Sequence, residues 1–153
     1  MVERKEMQRA IEKTILPALL LLFVACRGGD VKPVDLETGD SCAFCRMAMS
    51  GREFAAEIIP PGGEALKFDD IGCSLAYLRE HGELRSSVIF VNDFELRKWL
   101  PARDAWFVKS ESIKTPMGGG IIAFSNREKA EAALTKYSGV ISRFDGISGS
   151  SPK

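Results

Sequence analysis

Two thiols and two thioethers fall within one short stretch, Ser41-Cys42-Ala43-Phe44-Cys45-Arg46-Met47-Ala48-Met49. A turn over Cys42 to Cys45 brings both thiols to one point, and an extended continuation puts Cys45, Met47 and Met49 on a common side. All four are soft donors. Thiolate with thioether is the set that favours Cu(I) over zinc, magnesium or calcium, because polarizable sulfur matches a polarizable d10 monocation.

Other chemistries use the same CxxC spacing. A structural zinc site wants four Cys or His ligands, and with Cys26 read below as a lipid attachment point only Cys73 and the single His81 remain beyond this stretch. A thioredoxin-like pair is expected where a strand runs into a helix, whereas this one precedes the first strand. A c-type haem needs His after Cys45, where Arg46 stands. A structural disulfide between Cys42 and Cys45 suits an oxidising compartment. Neither a disulfide nor dithiol exchange uses Met47 and Met49, which leaves metal binding as the favoured reading.

Cys73, just past the start of an expected helix, reads first as a small buried residue and second as a reserve ligand, with Met49 the other reserve. Asp69 and Asp70 read as helix caps, His81 as a cation at a helix end, and Trp99 and Trp106 as core aromatics. There is no Ser-His-Asp set, phosphate loop or acid/base pair, so the chain is not expected to be an enzyme. Acidic and basic residues balance at 21 each, which leaves no positive excess for a nucleic-acid backbone.

The elements that must position these residues follow from periodicity and turn chemistry. Glu53 to Ile59 reads as a strand, stopped by Pro60-Pro61-Gly62-Gly63, with Ala65 to Phe68 as its return. A helix capped by Asp69 or Asp70 then covers 70–81, and Ser87 to Val91 is a strand. The order recurs: Ala105 to Lys109, a Gly118-Gly119-Gly120 turn, Ile121 to Phe124, a helix over 126–138 capped at Ser125 or Asn126 and ended by Gly139, then Val140 to Phe144 as strand. This predicts an α+β fold of two small tandem ββαβ units with mainly antiparallel strands, over 41–92 and 93–145. Residues 146–153 are expected to be a disordered tail.

Ahead of residue 26 the pattern is that of a targeting segment. Arg4, Lys5, Arg9 and Lys13 precede an apolar run from Ile15 to Ala25, too short to cross a bilayer of ~30 Å as a helix. The run closes Leu22-Phe23-Val24-Ala25-Cys26 and resembles a bacterial lipobox. Residues 1–25 are then a lipoprotein signal peptide, Cys26 the lipidated residue, and 26–40 a tether below the domain, which would face the periplasm.

Taken together, Cys42-x-x-Cys45-x-Met47, Phe68-Asp69-Asp70-Ile71-Gly72-Cys73, Trp106-Phe107-Val108 and Thr115-Pro116-Met117-Gly118-Gly119-Gly120 with Ala123-Phe124 resemble the NosL family, copper-binding accessory lipoproteins of bacterial nitrous oxide reductase. The resemblance implies a tandem ββαβ fold and Cu(I) as cargo, held by Cys42, Cys45 and Met47 with Met117 as a further donor. It also implies a metallochaperone that delivers copper toward nitrous oxide reductase and works with that enzyme's ABC-type accessory complex.

Overall fold

Short strands separated by glycine and proline turns build two antiparallel sheets. The computed structural model describes residues 31–149, so Cys26 and the expected signal lie outside the described residues. The first sheet contains β1 (Ala56–Ile59), β2 (Leu66–Phe68), β3 (Val88–Asn92) and β4 (Trp99–Pro101) in the order β2-β1-β3-β4. The second contains β5 (Trp106–Lys109), β6 (Ile121–Phe124) and β7 (Val140–Ser142) in the order β6-β5-β7. Helix α1 (Ile71–Glu80) links β2 to β3, and α2 (Arg127–Leu134) links β6 to β7. Each half therefore places its first strand between its second and third. The fold is α+β with two ββαβ units, and the repeat is one of topology.

Local chemistry accounts for the boundaries. The Pro60–Gly63 turn closes with the Gly63 amide donating to the Pro60 carbonyl, and Gly62 takes φ 67°, the left-handed region that only glycine enters without cost. Asp70 is the N-cap of α1, accepting the Gly72 amide at 2.6 Å, and Asn126 caps α2 by accepting that of Lys129 at 2.9 Å.

Strand alternation sorts the core. Ala56, Ile58, Phe68 and Val91 share one face and pack with Ile71, Cys73 and Leu75 of α1 and with Phe107, Ile121 and Ala123 of the second sheet. The alternate residues Val108, Ile122 and Phe124 pack instead with Ala130 of α2. The second sheet is thus apolar on both faces, which is why β6 reads as an unbroken apolar run.

The structure departs from expectation in four places. Strand β4 was not anticipated; its three residues carry no period-two signal, and pairing with β3 alone defines it. Helix α2 ends at Leu134 with Thr135 as cap, so Gly139 is not its terminator. Gly139 instead sits where any Cβ would run into the Lys109 carbonyl, which lets β7 close on β5. The last strand stops at Ser142, and α3 (Phe144–Ser148) occupies the start of the expected tail, with Phe144 against Phe107 at 6.1 Å between ring centroids. Finally, residues 31–40 are not a free tether. The Val34 amide donates to Glu57 Oε2 at 2.9 Å, and Lys67 Nζ reaches the Asp35 carbonyl at 3.0 Å and the Asp40 carboxylate at 2.7 Å. Among the described residues, no helix is long and apolar enough to cross a membrane.

Asp93 joins the two sheets. Its Oδ1 accepts the amides of Glu95 and Leu96 at 3.0 and 2.8 Å, its Oδ2 accepts that of Ser125 at 2.8 Å, and its backbone bridges to Ala123. Burial raises the pKa of this carboxyl, but the bonds from Leu96, Ser125 and Glu95 outweigh burial and hold it below the ordinary 3.8. A depressed folded-state pKa contributes stability that is present above the ordinary value and lost as pH falls through the folded one. Asp93→Ala should therefore cost about 2–3 kcal/mol at neutral pH. Asp93→Asn should cost less and remove this carboxyl's share of the acid sensitivity below pH 3.8, as read from denaturant unfolding across pH.

Candidate metal centre

The CxxC stretch is a closed loop. Ser41 and Ala48 form an antiparallel bridge, the Met49 amide donates to the Asp40 carbonyl at 3.1 Å, and the Cys42 amide donates to the Met47 carbonyl at 2.8 Å. Within it the Arg46 amide donates back to the Cys42 carbonyl at 2.9 Å, which requires Arg46 to take φ 65°. That left-handed residue breaks the extended run expected from Cys45 to Met49. The loop is fixed to the sheet by the Ala43 amide on the Lys67 carbonyl at 2.8 Å and by Asp69, which accepts the Ser50 amide and hydroxyl at 2.6 and 2.8 Å.

Docked in this way, the loop faces the first turn of α1, and the sulfurs of Cys42, Cys45 and Cys73 all lie within 4.8 Å of one another. Three sulfurs around one metal at a bond length of about 2.3 Å stand about 4.0 Å apart, so a contraction below about 1 Å closes the site. All three thiols are free. Cys42 is 0% and Cys73 4% exposed, while Cys45 is half-buried and forms the accessible side of the group.

The electrostatics of the buried pair are unequal. Burial raises the Cys42 pKa, but the amides of Cys45, Asp69 and Phe44 and the Cys45 thiol, all directed at its sulfur, bring it below the ordinary thiol value. Cys73 goes the other way: burial first, then the negative charge of Cys42, Cys45 and Asp70, push its thiol far up. Cys42 is thus disposed toward ionisation and Cys73 away from it. A metal ion that replaces the Cys73 proton relieves that repulsion, as expected of a soft-cation site.

Asp70 carries the site beyond its own helix. Besides capping α1 it accepts Thr115 Oγ1 at 2.5 Å and the Met117 amide at 3.0 Å, and so pins the Thr115–Gly120 loop of the second half against α1. Gly72 and Gly119 meet there backbone to backbone: a Cβ on Gly72 would stand 3.0 Å from the Gly119 Cα. Met117 and Phe44 consequently line one cleft of about 330 Å3 with Cys73, Asp70, Arg79 and Lys109.

Of the residues expected at the site, the structure brings Cys42 and Cys45 together and adds Cys73 as an equal member. Met117 stands at the cleft rim, 44% exposed. Met47 is on the same loop as the thiols but 57% exposed, and Met49 is half-buried against the core. His81 stacks on Tyr77 beyond the far end of α1. Sequence spacing understated Cys73 because its approach to Cys42 depends on the tertiary bond from Ala43 to β2. The one local sign was its place in the first turn of a capped helix directly after that strand.

The left-handed Arg46 makes the loop testable. Replacing it with glycine removes a backbone cost of roughly 1–2 kcal/mol and adds back part of it as chain entropy. Arg46→Gly should leave the melting temperature unchanged or higher. Arg46→Val, whose branched Cβ tolerates positive φ poorly, should lower stability by about 1–2 kcal/mol.

Comparison with known proteins bears on this geometry. The crystal structure of the copper chaperone NosL from Shewanella denitrificans superposes with a TM-score of 0.67 at 24% sequence identity, covering 74% of this chain and 93% of that one, a likeness of fold. No curated protein matches. The NosL family model matches residues 33–151, most of the chain and all of the site, and the chain therefore belongs to the NosL family.

Proposed function

We propose that this protein is a metallochaperone that carries Cu(I), binding it through Cys42, Cys45 and Cys73 with thioether support from Met117 and Met47, and passing it on without turnover. The observation that carries the reading is three sulfurs within 4.8 Å, two of them buried and one accessible. Soft thiolates select a soft monocation, and the other donors close at hand are thioethers, where a closed zinc site would need a fourth thiolate or imidazole. Family membership and the copper chaperone of the same fold support the cargo. The accessible Cys45 gives the metal a way out.

The family resemblance extends the proposal to place and recipient. The chain is exported, acylated at Cys26 and held on the periplasmic face, and its copper goes to nitrous oxide reductase with the help of an ABC-type accessory complex. Cells lacking this chain should then make nitrous oxide reductase deficient in copper, and a normally metallated enzyme would remove that recipient.

Two further outcomes are expected. Competition against a chromophoric Cu(I) chelator should show the reduced domain preferring Cu(I) to Zn(II). Cys42→Ser, Cys45→Ser and Cys73→Ser should each weaken Cu(I) binding by more than the roughly 10–100-fold typical of an outer-shell partner. Met47→Leu and Met117→Leu should weaken it less and leave the melting temperature in place. If the Cys42/Cys45 double serine variant kept full affinity, or Zn(II) displaced the copper, the chaperone reading would give way to a thiol-disulfide oxidoreductase acting on copper-site cysteines or to a passive lipoprotein scaffold with a structural disulfide.

The second outcome concerns the anchor. Cys26→Ala should abolish acylation and release the protein from membranes; recovery of soluble, unprocessed wild-type protein would exclude export.

A further inference from the structure

Apolar exposure and uncompensated positive charge coincide at the cleft beside Cys73. Phe44 and Met117 line it, 38% and 44% exposed, and Met47 stands on the adjoining loop. A second cleft of about 530 Å3 continues it through Lys109, Gly118 and Gly119 to Val140, the most exposed large apolar residue described. Exposed apolar side chains gathered at the mouth of a cleft mark contact with another molecule.

Positive charge lies at the same place. Arg79 and Lys109 line the first cleft and Arg46 is exposed on the thiol loop, and none of the three has a carboxylate within ion-pair distance among the described residues. Arg52, Lys67, Arg97, Arg103, Arg127 and Lys129 have such partners, whereas Arg85, Lys98, Lys114, Lys136 and Arg143 do not; what sets Arg79 and Lys109 apart is that they line the cleft beside Cys73. The Asp70 carboxylate in the wall is consumed by Gly72, Thr115 and Met117, and Glu111 is the exposed acid lining the second cleft. A chain with formal net charge +0 therefore presents a cationic rim at its metal mouth.

We propose that this face docks a copper-accepting protein whose contact segment is acidic and carries a methionine or histidine, with carboxylates on Arg79 and Lys109 and the soft side chain in the cleft beside Cys73. The proposal rests on the Cu(I) chaperone reading. Transfer is then ligand exchange at one metal: the bond from copper to the acceptor's sulfur or nitrogen forms as the bond to Cys45 breaks, copper stays Cu(I), and the vacated thiolate takes a proton from water. The rim raises the encounter rate and leaves the depth of the site alone.

The test uses three synthetic peptides of equal length and methionine content, one acidic, one uncharged and one basic, with the wild-type domain and an Arg79→Glu/Lys109→Glu variant. Affinity for Cu(I) and melting temperature should match in the two proteins. From loaded wild type the acidic peptide should withdraw Cu(I) on the order of ten-fold faster than the basic one at low salt. That gap should close at high salt and in the variant. Equal rates for all peptides, or a gap that survives in the variant, would overturn the proposal. The same preference should appear in the binding of dye-labelled peptides to metal-free protein, so a failure to hold copper would sink the chaperone reading while the docking result still stood or fell by itself. If phosphatidylglycerol vesicles bound wild type but not the variant, and the peptides showed no charge preference, the rim would be a membrane contact and the proposal wrong.

Discussion

A carboxylate shut away from water must find its partners inside the protein, and Asp70 finds them in both halves of the chain. One oxygen caps α1 through Gly72, and the other receives the Thr115 hydroxyl and the Met117 amide. Leaving any of these donors unpaired in the interior costs about 1–3 kcal/mol, so the three act as one joint. The first turn of α1 fixes Cys73 opposite the CxxC loop, and the Thr115–Gly120 loop fixes Met117 at the cleft. Both depend on the same side chain, and the Gly72–Gly119 approach leaves no room for a looser arrangement.

The CxxC loop obeys a different constraint. Its hydrogen bonds are satisfied internally and against β2, and the cost is concentrated at Arg46, held at positive φ. In return the backbone turns its amides toward the Cys42 sulfur, so one thiol of the three is already disposed to be anionic. Cys73 opposite it resists ionisation for want of solvent and for excess of negative neighbours. The resulting pocket sets a thiol inclined to ionise beside one that resists it, an imbalance that a bound cation would offset.

Much of this was legible in the chain because much of it is local. The caps at Asp70 and Asn126, the Pro60–Gly63 turn and the apolar run at Ile121–Phe124 are each set by neighbours within a few residues, and the ββαβ order followed from them. What escaped is what only packing decides. Strand β4 exists because β3 offers an edge, α3 because Phe144 finds Phe107, and the early segment lies down because buried Glu57 needs the Val34 amide. At the site, the pairing of Cys42 with Cys45 was written in their spacing. The convergence of Cys73 was not, and the extended course drawn through Met47 failed at a single residue whose φ has the wrong sign for it.

That third sulfur sets when the site can exist. Cys42 and Cys45 are neighbours in any state of the chain, but Cys73 joins them only after β1 and β2 have paired, α1 has been capped and the loop has seated on Lys67. A polypeptide that is only partly folded, or one that has misfolded, presents two loose thiols and no enclosed pocket. The complete trio is in effect a readout of folding: the three-sulfur pocket exists only once the domain is a folded one.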